Sequence, residues 1–510
     1  MDTALKKLTI KIKAHSFIKE YMVLIFYLFY SFIVFGPFLS GQQRVHDSYL
    51  VELFDNYGFM VRGLFNQGRI ISSWFYSALL HINPPYTLAM SISVGASLIF
   101  LSLAAYIVFC LIKKFAALED CRNSYILAAL GSLMLFFNLF ILESMLFFEN
   151  AVMSLGILLA VVACALLMRD GIKWYIASLF CMILSMFCYQ PSSAFFPPLA
   201  VLFLGIKHQN ELALLIRKIL GAALIYGAAL FSNFIFLTLI STDTRFAGEV
   251  RLSENFANSV RAFFSFGLNN FGFMPNYVFS LFLFVFMCIL TYICIRHKMY
   301  KILLASIVAF SVIFITTFTL LLPMASNIWY IMPRSGVAIA GIGGLMIISI
   351  ATCSKKTRKS TLLVAALFVL IISQRQIDIQ KNSYANNQLD MQELHNIVNT
   401  IRSYEDYHGL TINHIYFTYD AHAWQRKTLN NYGDLTIRIL QVSWMPEPLL
   451  HLYFGRGVSV MPMSWVMTQE EIERVSYKRE SFWFTNGRIV FVEDTAYIFF
   501  GPEDIPYLLP

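Results

Sequence analysis

The chain has 510 residues, of which 58% are hydrophobic and only 13% charged, with a mean hydropathy of +0.64. Soluble domains carry about 25% charged residues, so a single cytosolic globule is excluded. The net charge of +8 does not point to nucleic acid, because the basic residues are distributed by membrane side, as counted below.

A helix needs about 20 mainly apolar residues to cross a bilayer. Eleven segments qualify: 21–39, 86–112, 124–142, 150–168, 174–189, 192–206, 219–240, 277–295, 302–322, 336–352 and 361–373. The first follows a basic leader (Lys6, Lys7, Lys11, Lys13, Lys19), and no small-x-small site ends it, so no cleavable signal peptide is expected. With the N-terminus inside, the inner segments carry 20 Lys and Arg. The outer loops carry Arg44, Arg62, Arg69, Arg245, Arg251, Arg261 and Arg334, and no lysine. This asymmetry obeys the positive-inside rule. The odd number of spans puts the C-terminus outside.

The first outer loop, 40–85, is the most charged. From Tyr49 its apolar residues (Leu50, Phe54, Tyr57, Val61, Leu64) recur every three or four positions. Asp55, Arg62 and Arg69 are spaced by seven and drift only about 20° per step on a helix, which predicts an amphipathic interfacial helix with one charged stripe. Snorkelling to lipid headgroups accounts for such arginines. So does a site in which Asp47 or Asp55 acts as a base while Arg44, Arg62 and Arg69 grip a phosphate bidentately.

Three later outer segments add candidates. Glu143 and Glu149 lie in the short connection LESMLFFENAV, and an acid pinned at a membrane edge is expensive to hold there. Capping the next helix is the plain alternative for Glu149. Tyr189-Gln190-Pro191-Ser192-Ser193 forms the turn after the fifth span, and Arg334 is the lone charge between the ninth and tenth. Gly341, Gly343 and Gly344 lie inside a span, where small residues serve helix packing.

Residues 374–510 differ in character, with 27 charged residues in 137. Leu389, Met391, Leu394, Ile397, Val398 and Ile401 repeat at helical spacing. His414–Tyr419, Leu435–Val442, Arg488–Val492 and Ala496–Phe500 are expected as strands. The chain therefore reads as a polytopic α-helical membrane region, 1–373, followed by a small outer α/β domain, 374–510. All eight cysteines precede residue 354, so that domain has no disulfide to form.

No Walker A loop, G-x-S-x-G, H-E-x-x-H or D-x-D pair is present, and the ten histidines do not fall at zinc spacings. Chemistry, if any, is expected on the outer face with no cofactor and no resident metal, although a helper divalent ion is left open.

Four features together resemble the bacterial serotype-converting O-antigen glucosyltransferases, the type II-like family of the GT-C class. They are an acid after the first span followed by a Gly-Arg step (Asp47, then Gly68-Arg69), Glu149-Asn150 opening the fourth span, the Tyr189-Gln190 turn and a late Pro333-Arg334. The family often shows paired acids after the first span, where this chain has His46-Asp47-Ser48. The resemblance covers roughly residues 20–350. It implies an enzyme of the bacterial inner membrane that moves glucose from undecaprenyl-phosphate to lipid-linked O-antigen on the periplasmic face, inverting the donor carbon. The donor is then made by a separate polyprenyl-phosphate glucosyltransferase and turned over by a flippase. Asp47 is the first candidate for the base, followed by Glu149 and Asp55. Arg44, Arg62, Arg69 and Arg334 are the candidates for phosphate, and Tyr189, Gln190 and Glu143 for the acceptor. A lipid-linked saccharide flippase or an O-antigen polymerase-like transferase stands as the alternative.

Overall fold

The computed structural model describes residues 21–41, 57–116, 121–240, 251–263, 273–274, 277–320, 332–353, 359–418, 440, 446–455, 457–477, 481–484 and 487–500. Among these, eight helical segments are long and apolar enough to cross a membrane, judged by length and composition. The chain is thus a membrane-embedded helical protein. Three of the eleven expected spans are helices too short for that criterion: Arg122–Phe136, Ile172–Cys188 and Phe196–Lys207, of 15, 17 and 12 residues. By contacts the chain divides into two compact units, Met1–Gly41 with Tyr57–Asp378, and Gln42–Asn56 with Ile379–Pro510.

The expected span 124–142 stops at Phe136 for a visible reason. The Asn138 amide donates to the carbonyls of Leu135 (3.0 Å) and Val337 (2.9 Å), while the Phe140 N–H donates to Asn138 Oδ1 (3.1 Å). The side chain takes over one of the last carbonyls of the helix, that of Leu135, as a C-terminus requires, and the chain turns into a five-residue helix, Ile141–Met145.

Glycines let the central helices meet. Residues 336–353 are all buried, and helix Ile342–Cys353 lies against Arg122–Phe136. A Cβ on Gly344 would overlap the Leu135 backbone nitrogen and lie 2.7 Å from the Gly131 carbonyl oxygen, and one on Gly341 would lie 2.5 Å from the Leu135 carbonyl. These are backbone atoms and cannot swing aside. Gly344→Ala should therefore part the two helices at a cost of about 1–3 kcal/mol, read as a lower thermal midpoint in detergent. Gly227→Ala, in helix Leu212–Ile240 with nothing within 4 Å of the added carbon, should leave that midpoint unchanged.

The last helix of the membrane unit continues without a break from Lys359 to His408. Positions 376, 380, 383, 387 and 390, alternating four and three apart, are polar yet buried. The same register continues with Leu394, Ile397, Ile401 and Tyr404, which enter the apolar core of the second unit with Val398. That core lies under a five-stranded sheet, β1 (His414–Phe417), β2 (Ser459–Pro462), β3 (Ser481–Phe484), β4 (Gly487–Val492) and β5 (Thr495–Phe500). The order is β2-β1-β5-β4-β3, with β1 parallel to both neighbours and β4 antiparallel to both of its own. Strands were expected near β1, β4 and β5; most of the expected strand 435–442 lies outside the described residues. On the other face, Met463, Val490 and Phe499 pack with Ile472 and Val475 of helix Gln469–Ser476. Thr468 and Glu471 close that helix with a capping box.

Candidate active site

Within segment 40–85, the described residues from 57 onward form two helices. Helix Tyr57–Asn66 ends before Gly68, whose φ of +74° is a left-handed turn, and Ile70–Ile82 starts on a new axis with Arg69 at its N-cap. The expectation of one helix with Arg62 and Arg69 on a shared stripe is thus corrected, because seven-residue spacing keeps a face only while the helix continues. Arg62 is left exposed on the first helix. Two amides fix the turn: Gln190 Nε2 donates to the Gln67 carbonyl (2.7 Å) and Asn233 Nδ2 to the Gly68 carbonyl (3.4 Å). A Cβ on Gly68 would meet both amides, at 3.3 and 3.0 Å, so any side chain would push the turn off its seat.

Held in this way, Arg69 reaches Glu149, with Nη1 3.7 Å from Oε1. Glu149 occupies the N-cap position of helix Asn150–Leu167 but makes no side-chain cap bond. Capping does not explain it. Its Oε2 accepts the Tyr76 hydroxyl at 2.9 Å, under a layer formed by Tyr76, Phe148 and Tyr86 with ring centroids 5.5–5.6 Å apart. The helix start is served instead by Ser93, whose Oγ donates to the Phe148 carbonyl (2.7 Å) and accepts the Ala151 N–H (3.3 Å).

A second pair stands beside the first. Glu143, on the short helix Ile141–Met145, accepts the Arg334 backbone N–H at Oε2 (2.6 Å) and pairs with Arg334 Nη1 at Oε1 (3.2 Å). Arg334 lies in the 3-10 turn Pro333–Gly336, and its guanidinium covers the Phe147 ring at 4.3 Å. Between the pairs lies Tyr189, buried at the end of helix Ile172–Cys188. The Arg69 guanidinium sits 4.7 Å over its ring, and Arg334 and Glu143 are within electrostatic reach. Gln190, next in sequence, is the clamp on the Gly68 turn.

Burial separates the roles. The Glu143 and Glu149 side chains are 0% and 2% exposed, while Arg69 and Arg334 keep 18% and 15%. The carboxylates lie beneath and the guanidiniums face outward, each with donors directed by a carboxylate and a face resting on an aromatic ring. Such an arrangement is suited to an anionic ligand with paired acceptor oxygens. Six expected residues are gathered here: Arg69, Glu143, Glu149, Tyr189, Gln190 and Arg334. Arg44, Asp47 and Asp55 lie outside the described residues. Tyr76, Ser93, Gln67 and Asn233 were not anticipated. Only the Gln67-Gly68 step, a glycine interrupting a helical pattern, carried a signal in the sequence.

Among the described residues, no group of three or more His, Cys, Asp or Glu side chains is placed to hold a metal ion. No family model matches the chain, and no curated protein or solved structure is similar to it.

Proposed function

We propose that this chain is a glycosyltransferase that takes a sugar, glucose as the first choice, from a polyprenyl-phosphate carrier and adds it to a lipid-linked glycan such as O-antigen. On this reading it lies in the bacterial inner membrane with eleven spans, and its C-terminal unit and the Arg69–Arg334 cluster face the periplasm. The observation that carries the proposal is the cluster itself: two outward guanidiniums, each seated on a buried carboxylate, flanking the Tyr189 ring at the ends of membrane helices. A lipid phosphate presents paired anionic oxygens at headgroup depth, and an aromatic ring offers a face to a sugar.

The chemistry needs little more. An acceptor hydroxyl attacks the anomeric carbon as the bond from that carbon to the phosphate oxygen breaks, and the hydroxyl proton passes to a carboxylate. The lipid phosphate leaves with the electron pair of the broken bond, stabilised by the guanidiniums. Attack opposite the leaving group inverts the anomeric centre. Asp47 remains the first candidate for the base, with Asp55 behind it. Glu149 has both oxygens engaged by Tyr76 and Arg69 and suits the holding of Arg69 better than proton transfer.

The purified protein should transfer glucose from polyprenyl-phosphate glucose to a lipid-linked glycan and ignore UDP-glucose, as measured with radiolabelled donors in detergent. Transfer from UDP-glucose with no lipid carrier present refutes the proposal.

A further inference from the structure

Helix Leu252–Phe263 lies between the candidate spans Leu212–Leu239 and Val278–Arg296. It is on the same side as the site, because Asn233 and Leu237, near the end of the first span, touch Gly68. Twelve residues extend about 18 Å, well short of the roughly 30 Å hydrocarbon core, so this helix does not cross.

The helix has three faces. Asn255 and Ser259, four apart, are buried, so a polar edge is turned to the protein. Leu252, Phe256 and Val260, also four apart, sweep an arc of about 80°, and all three are exposed, Phe256 to 64%. Glu254 and Arg261, seven apart and about 20° from alignment, are exposed on the side opposite the apolar arc. A helix with a bare apolar face and a bare charged face set against each other requires two solvents at once.

The flanking spans indicate what covers the apolar face. Large exposed apolar side chains run along both flanking spans to their ends on this side: Phe231, Phe234 and Leu239 on one, and Tyr277, Leu281 and Phe284 at and beyond the start of the other. In a membrane-embedded chain such faces meet lipid, and the Leu252–Phe256–Val260 face continues them. Arg251 and Arg261, at and near the two ends of the helix, suit lipid phosphates. We propose that helix Leu252–Phe263 lies flat in the headgroup–acyl boundary of the leaflet at the candidate site, with Leu252, Phe256 and Val260 in the acyl chains and Glu254 and Arg261 in water. The occupant is the bilayer, and the inference holds whatever the site transfers.

The test uses the full chain in vesicles of phosphatidylethanolamine and phosphatidylglycerol. An environment-sensitive fluorescent amino acid is inserted in place of Phe256 or Val260, and in separate variants in place of Glu254 or Arg261. All four positions are exposed, so the fold should tolerate the probe. Lipids brominated high on the acyl chain should quench the probe at 256 and 260 severalfold more than at 254 and 261, and aqueous iodide should show the reverse order. Iodide quenching at 256 and 260 without lipid quenching overturns the proposal in favour of a water-exposed helix. Shielding of 256 and 260 from both quenchers overturns it in favour of a protein partner on that face.

Discussion

Asp47→Asn will lower the transfer step by about 10²–10⁴ and leave donor affinity essentially unchanged. The substitution keeps the size of the side chain and removes its basicity, and a base acts mainly in the transition state. Glu149→Gln should behave differently. An amide oxygen still accepts the Tyr76 hydroxyl, but the charge that directs Arg69 is gone, so KM rises along with the fall in kcat. Each variant must first express and remain monodisperse in detergent, since a misfolded protein mimics either outcome. If Asp47→Asn stays near normal while Glu149→Gln abolishes transfer at unchanged KM, the base is Glu149. If neither of these, nor Asp55→Asn, affects transfer, an outer-face carboxylate base is refuted.

The arginines should fail in another way. Arg334→Ala removes a guanidinium whose partner, Glu143, is fully buried. Leaving a buried carboxylate without its cation costs about 3–5 kcal/mol, so both donor affinity and thermal stability should fall. The two losses can be separated. In the double variant Glu143→Gln/Arg334→Ala, the amide oxygen still accepts the backbone N–H of residue 334 and no charge is stranded. Stability should return while donor affinity does not. Recovery of both would show that Arg334 serves the fold alone. Arg69→Ala should weaken donor binding likewise, and lysine at either position should restore only part of it, because an ammonium lacks the two-pronged fork.

Much of the membrane unit was legible because a span needs only length and apolarity, and both are local properties. The positions of Glu143, Glu149, Tyr189 and Arg334 at or between the ends of apolar helices followed from the same count. Their pairing did not. Whether Glu149 caps its own helix or reaches Arg69 is decided by Ser93, which lies 56 positions from Glu149 and takes the capping work itself. The break between Arg62 and Arg69 needed one more inference, that Gly68 stops the helix, and its cause lies in Gln190 and Asn233, distant in sequence. In the second unit, Leu394, Ile397, Val398 and Ile401 were readable as one apolar face, whereas Leu389 is exposed. β2 and β3 were not anticipated.

Each guanidinium at the site already has a carboxylate partner, so the four-residue cluster carries no net charge as built. This bears on turnover. A lipid phosphodiester brings one negative charge and the liberated lipid phosphate up to two. A doubly cationic pocket would favour the product by Coulomb attraction in proportion to that extra charge. A neutral pocket attracts through the direction of its N–H groups, which both species satisfy alike, while the second product charge meets two carboxylates close beneath. On the proposed function the paired acids would favour release of the spent carrier, and product inhibition should deepen when Glu143 or Glu149 is neutralised.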